Sequence, residues 1–115
     1  MKKKLKVMSD ELIELIATRF HVLSEPMRLK ILNALGSEEF NVNEIVQATG
    51  SGQANISKHL GILFKEGLVK RRKEGLNTFY RAADDSVFAL CESVCGTLGE
   101  HLAAKHGTVR NFVRR

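Results

Sequence analysis

The chain has 115 residues, 43% of them apolar and 27% charged, which suits one folded domain with its own core and excludes a disordered chain. No apolar run nears the roughly 20 residues of a membrane span. The basic start Met1-Lys2-Lys3-Lys4-Leu5-Lys6 passes into Ser9-Asp10-Glu11 without an apolar segment, so a cytoplasmic protein is expected. The net charge of +5 is uneven: residues 51–83 hold seven basic and two acidic groups, 9–50 hold three basic and seven acidic, and 84–104 hold four acids without Lys or Arg. A basic block between acidic ones suits a polyanion-binding element, although a solvated Lys/Arg face is the plainer alternative.

Ser9 can cap a first helix, with Asp10 and Glu11 where the helix dipole favours anions. Leu12, Leu15, Ile16, Phe20 and Leu23 recur in it at three and four, and His21 near its end suits the opposite pole. Ser24 is expected to cap a second helix with Pro26 in its first turn, Met27, Leu29, Ile31, Leu32 and Leu35 as apolar positions, and Gly36 as its stop. Asn41 with Glu44 three residues on reads as a capping box opening a short helix through Ala48. Thr49-Gly50-Ser51-Gly52 is a tight turn, and a further helix runs from about Gln53 to Lys65, ending at Gly67. The period then changes. Leu68 to Arg72 and Thr78 to Ala82 flank Glu74-Gly75 as a hairpin, and after Asp84-Asp85-Ser86 a last helix reaches about Lys105. The fold class is mainly α with a β-hairpin, in the order α-α-α-α-β-β-α. That order describes a winged helix-turn-helix over residues 9–105, with basic tails at 1–8 and 106–115.

The helix after the turn has two faces. Ile56, Leu60 and Leu63 lie at 0, +4 and +7 and face the core, whereas Ala54, Ser57, Lys58 and Gly61 point away, with Gln53 and Asn55 at the N-terminal end. Gln and Asn can bond a base edge bidentately, Ser and Lys can take bases or phosphates, and Ala and Gly permit close approach in a major groove. A polar helix surface of no function is the alternative; Gly61 argues against it, since mid-helix Gly costs about 1 kcal/mol that exposure does not require. His59, beside the core face, is read as a structural hydrogen-bonder. The hairpin adds Lys70, Arg71, Arg72, Lys73 and Arg81, and alternation cannot bury them all. A cationic ribbon of this kind suits phosphates or the minor groove, with Arg71, Arg72 and Lys73 as the contacts.

Two stretches carry a family resemblance. Phe20-His21-Val22-Leu23-Ser24-Glu25-Pro26-Met27-Arg28-Leu29-Lys30-Ile31-Leu32 resembles the L-x-(D/E)-P-x-R-x-x-I-L opening of ArsR/SmtB-type repressors. Gln53-Ala54-Asn55-Ile56-Ser57-Lys58-His59-Leu60-Gly61-Ile62-Leu63 is similar to their recognition helix, Q-(S/P/A)-x-(V/I)-S-x-H-L-x-x-L, and Glu74-Gly75 followed by Phe79-Tyr80-Arg81 to their wing. The resemblance covers about residues 9–105. It implies a homodimer joined through the first and last helices, and a repressor of double-stranded operator DNA released by an effector. One departure concerns the wing: the family often carries Arg just after the Gly, and here Leu76 stands there.

The family's sensor sites mostly do not carry over. The Cys-x-Cys stretch matches Phe40 to Ile45, which has no cysteine. The last-helix metal site falls on Asp84, Ser86, Thr97 and Glu100, where both histidines are missing, and two oxygens do not make a zinc site. The last helix does carry Cys91 and Cys95, whose i, i+4 spacing puts both thiols on one face. Cys91 belongs to a seam of Val87, Cys91, Val94, Leu98 and Leu102 suited to a partner helix. One reading is a thiol sensor, for As(III), Cd or Zn shared between subunits or for oxidation and persulfide chemistry, with His101 and His106 as further donors. The other is that small, buried-type cysteines simply pack a seam.

An enzyme is not expected. Cys-x-x-x-Cys is not the redox Cys-x-x-Cys, and no Gly-rich phosphate loop, HExxH or supported Ser/His/Asp set occurs. A winged helix that binds protein or RNA is the remaining class, against which the polar Gln53, Ser57 and Lys58 argue, since protein interfaces favour aromatic and aliphatic anchors.

Overall fold

The computed structural model describes residues 7–106, the side chains of 103–106 excepted. The expected basic tails, Val7 and Met8 aside, and the His106 side chain lie outside the described residues. The chain forms two units, Met1–Ala83 and Asp84–Arg115.

In the first unit, α1 (Asp10–Leu23) opens where Ser9 Oγ accepts the Leu12 N–H at 3.1 Å. Only Val22 and Leu23 of this helix are buried; Leu12, Ile13, Leu15 and Phe20 stay exposed. Next, α2 (Pro26–Leu35) starts differently from expectation. Its cap is Glu25, whose carboxylate accepts from Met27 N at 2.7 Å and Arg28 N at 3.3 Å. Ser24 instead closes α1, its hydroxyl donating to His21 O at 2.7 Å. A carboxylate reaches two orphan N–H groups at once, which a hydroxyl already donating backwards does not.

Gly36 ends α2 at φ 54°, and β1 (Phe40–Asn41) leads into α3 (Val42–Thr49). The capping box is formed: Glu44 N donates to Asn41 Oδ1 at 2.9 Å and Asn41 N to Glu44 Oε1 at 2.8 Å. Gly50, at φ 76°, reverses the chain into α4 (Gln53–Lys65). Strands β2 (Val69–Glu74) and β3 (Asn77–Ala82) pair antiparallel from Val69↔Ala82 to Glu74↔Asn77. Only Gly75 and Leu76 remain for the turn. Gly75 takes φ 62° while no other residue type adopts positive φ among the described residues, the pattern of a type II′ hairpin.

The two-residue β1 adds a strand beyond the expected order, pairing Phe40↔Tyr80 and Asn41↔Phe79, so the sheet runs β1-β3-β2. Ile31, Leu35, Ile45, Ile56, Leu60, Leu63 and Leu68 are fully buried, and Val69 and Tyr80 are buried beside them. Each such side chain contributes about 1.5–3 kcal/mol by leaving water. This core fixes which face of α4 points inward.

The second unit is α5 (Ser86–His106), opened by Asp84 Oδ1, which accepts from the Ser86 N–H and hydroxyl. Val87 is buried, whereas Leu90, Val94 and Leu98 are exposed.

Candidate nucleic-acid interface and thiol pair

The turn before α4 is tied by side chains. Thr49 Oγ1 donates to Ile45 O at 2.8 Å and accepts from Ser51 N at 3.3 Å, and Asn55 Nδ2 donates to Ser51 Oγ at 2.9 Å. Gly52 precedes α4 without a side-chain cap, so the first N–H groups of the helix have no side-chain acceptor there. Gln53, Ala54, Asn55, Ser57, Lys58 and Gly61 are all exposed, as expected from their spacing. Asn55 is partly engaged: one of its two amide N–H groups is given to Ser51, leaving the other N–H and the oxygen. A Cβ built on Gly61 would meet nothing within 4 Å, so the chain itself does not require glycine there.

The inner face holds a polar network. His59 is buried, and its Nδ1 lies 3.2 Å from Arg28 Nη1. A guanidinium can only donate, so Nδ1 is the acceptor and the ring proton sits on Nε2, 4.0 Å from Glu25 Oε1. Arg28 Nε also donates to Val22 O at 2.7 Å. Desolvation would raise the Glu25 carboxyl, but chiefly the hydrogen bonds from the Met27 and Arg28 N–H groups bring it below the ordinary carboxylate range. Glu25, Arg28 and His59 thus join the cap of α2, the end of α1 and the back of α4. The Glu-Pro-x-Arg opening was visible in the sequence; its union with a histidine 31 positions on was not.

On the hairpin, Lys70, Arg71, Arg72, Lys73 and Arg81 are exposed, but two of the expected contacts are partnered. Arg72 Nε donates to both Glu39 oxygens at 3.0 Å, and its Nη2 lies 2.8 Å from Glu39 Oε1. Its Nη1 donates to Glu74 Oε1 at 3.0 Å, and the guanidinium lies 4.8 Å from the Phe79 centroid. The Glu39 and then Glu74 hydrogen bonds push Arg72 further above its ordinary range, and the same pair lowers Glu39. Arg71 stacks on Phe64 at 3.8 Å. Lys58, Lys70, Lys73 and Arg81 form no ion pair within 4 Å among the described residues. Leu76 projects fully exposed at the tip.

In α5, Cys91 and Cys95 are half-buried and not disulfide-bonded. Burial, then the neighbouring Cys95, pushes the Cys91 thiol up, so it stays protonated through neutral pH. Among the described residues no three His, Cys, Asp or Glu side chains gather to hold a metal. Two sulfurs of one chain do not fit As(III), Cd or Zn, which take three or four donors.

Residues 25–71 match the bacterial regulatory protein, arsR family. The chain is 34% identical over 95 residues to the transcriptional repressor SmtB homolog of Synechocystis sp., covering 83% of this chain and 72% of that protein. It is 31% identical over 78 residues to the HTH-type transcriptional regulator KmtR of Mycobacterium tuberculosis, spanning 68% of this chain and 60% of that one. Its fold is similar, at TM-score 0.73 and 33% identity, to the solution structure of a homodimeric winged helix-turn-helix DNA-binding domain from Mycobacterium bovis, covering 89% of this chain and 97% of that one. The chain belongs to the arsR family of bacterial regulatory proteins, as a DNA-binding transcription regulator of winged-helix build and not an enzyme.

Proposed function

We propose that the protein is a homodimeric repressor that reads operator DNA with the outer face of α4 and is released by chemistry at Cys91 and Cys95. The observation that carries the DNA reading is the division of α4. Gln53, Ala54, Ser57 and Lys58 are exposed and free of bulky apolar groups, while Ile56, His59, Leu60 and Leu63 are locked inside. The Asn55 amide, Lys73 and Arg81 extend that surface, Arg71 presents the edge of a stacked guanidinium, and Arg72 is held between two carboxylates as a brace more than a phosphate contact. The homodimer is supported by the Mycobacterium bovis neighbour, which is described as homodimeric, and by the uncovered apolar residues of α1 and α5, which suit a second copy.

A metal at the thiol pair requires donors from both copies. Oxidation to a disulfide within one helix turn is strained, because i, i+4 Cβ atoms lie about 6 Å apart against the roughly 3.8 Å a disulfide prefers. A bond across the dimer or a bridging polysulfide avoids that strain. The second reading, cysteines that only pack, is favoured by the raised Cys91 thiol, which is a poor nucleophile at neutral pH.

The experiment is operator binding with duplex DNA from upstream of the protein's own gene, at stated salt. Reduced wild type is compared with Cys91→Ser/Cys95→Ser against As(III), Cd(II), Zn(II), hydrogen peroxide and polysulfide. Release of wild type alone by one reagent supports the sensor. Equal behaviour of both proteins leaves the cysteines as packing residues.

A further inference from the structure

Two arginines tie α1 to α4. Arg28 Nε donates to Val22 O at the end of α1, while its Nη1 bonds His59 in the middle of α4. Arg19, on α1 itself, reaches the far end of α4: its Nη2 donates to the carbonyl of Glu66, the C-cap, at 3.2 Å. That carbonyl stands at the negative pole of the helix, where a cation is favoured. The Ile62, Leu63 and Phe64 carbonyls beside it already accept from the Glu66, Leu68 and Gly67 N–H groups. Arg19 is exposed and forms no ion pair within 4 Å among the described residues.

We propose that Arg19 is a positioning residue for operator reading, a strap through which α1 sets the aim of α4. The inference rests on the reading face proposed for α4 and on the homodimer proposed to use α1. Burial of Ile56, Leu60 and Leu63 holds α4 against the core, but apolar packing is non-directional. Bonds at two separate points fix the line of the helix. His59 lies between the strap and the reading end. Glu66 is seven residues after it and Gln53 six before it, which at the rise of a helix makes arms of about 10 Å and about 9 Å. A sideways shift of the C-cap therefore moves Gln53 by a similar distance the opposite way.

In a two-fold pair the same displacement occurs in both copies, so it changes the separation of two reading helices. The spacing of half-sites mirrors that separation. Arg19 touches no base in this reading; it acts on which spacing the pair accepts.

The operator is first delimited by footprinting the full chain on DNA upstream of its own gene. Binding is then measured to that duplex and to versions with one or two base pairs added at its centre, each addition turning one half-site by about 35°. Wild type is expected to lose affinity on the longer duplexes. Arg19→Ala is expected to bind the native duplex about 3- to 10-fold more weakly, as for a lost hydrogen bond, and to lose less on the longer ones, so its preference for the native spacing shrinks. Arg19→Lys, which can still donate to the Glu66 carbonyl, should recover part of that preference. Glu66→Ala keeps the carbonyl and should match wild type. Sedimentation is expected to show the same dimer in all variants. An unchanged spacing preference in Arg19→Ala overturns the strap, whether affinity is retained or falls equally on every duplex. Weakened dimerisation in Arg19→Ala, or a Glu66→Ala variant as impaired as Arg19→Ala, overturns it too, the first in favour of a dimer contact and the second of a side-chain pair. Wild type indifferent to the added base pairs overturns the paired half-sites on which the inference rests, while Lys58→Ala separately reports on the α4 face.

Discussion

Helices α4 and α5 carry apolar residues at similar helical spacing, yet they come to opposite ends. In α4, Ile56, Leu60 and Leu63 are 0% exposed, whereas in α5 Val94 and Leu98 remain 48% and 53% exposed. Periodicity says that a helix has an apolar face and nothing about whose surface covers it. The face of α4 meets α2, α3 and β2 of its own chain. Those of α5 and α1 stay open, and the proposed second copy is what would cover them.

The largest test of that contrast is a matched truncation. Leu60→Ala is expected to lower unfolding stability by about 2–5 kcal/mol through lost burial and a cavity. Leu98→Ala, measured by urea titration at low protein concentration, should stay within about 0.5 kcal/mol, as exposed substitutions do. Leu98→Glu should shift sedimentation towards monomer. Equal costs for the two alanine variants would break the contrast and make α5 part of a closed core.

Next in size is the polar anchor on the inner face of α4. His59→Ala removes the acceptor opposite Arg28 in a buried site and is expected to cost about 1–3 kcal/mol. It also loosens α4 against the cap of α2, so DNA affinity should fall with stability. His59→Asn, which retains an acceptor, should recover part of both. Affinity unmoved by a destabilised His59→Ala would mean that the network supports the fold without orienting the helix.

The glycines separate fold from function. A Cβ at Gly61 of α4 or Gly96 of α5 meets nothing within 4 Å, so Gly→Ala at either should raise helix stability by up to about 1 kcal/mol. Only Gly61→Ala is expected to weaken DNA binding, because only the α4 face is proposed to enter a groove. Matching affinities in the two variants would remove the close-approach reading of Gly61.

The smallest effects are pH limbs of opposite sign. Glu25 and Glu39 are held below their ordinary range. Their stabilisation is present above the unfolded carboxylate range near pH 4 and is lost as pH falls through the folded values. Cys91 is raised, so its contribution is full below the ordinary thiol range near pH 8.5 and is lost as pH rises through the folded value. Melting temperature against pH should lose part of its acid limb in Glu39→Gln and part of its alkaline limb in Cys91→Ser.

What could be read from the sequence was local. The capping box at Asn41 and Glu44, the glycine stops and the two faces of α4 follow from spacings of three, four and seven, and all are in the structure. What escaped was either a choice between neighbours or a pairing across the chain. Ser24 and Glu25 are both competent caps, and only the backward bond of Ser24 decides between them. The strand Phe40–Asn41 is too short to show a period and is made by β3, some 40 residues later. The partner of Arg72 could not be read locally, because Glu39 lies 33 positions away. The thiol pair was legible as two sulfurs on one face of a helix, and nothing in that spacing names a third donor.

The third strand also gives the wing a mechanical character. β1 supports β3 only at Phe79 and Tyr80, and the Glu39–Arg72 brace joins the sheet at that same level, since Arg72 faces Phe79. Beyond it, two ladder pairs, Lys73↔Thr78 and Glu74↔Asn77, carry the ribbon to its turn, a span of about 7 Å. A two-stranded ribbon is weakly stable by itself, so compliance concentrates in this short overhang. The wing is a cantilever clamped at Phe79, its base held in register by three strands and its tip carried by two alone.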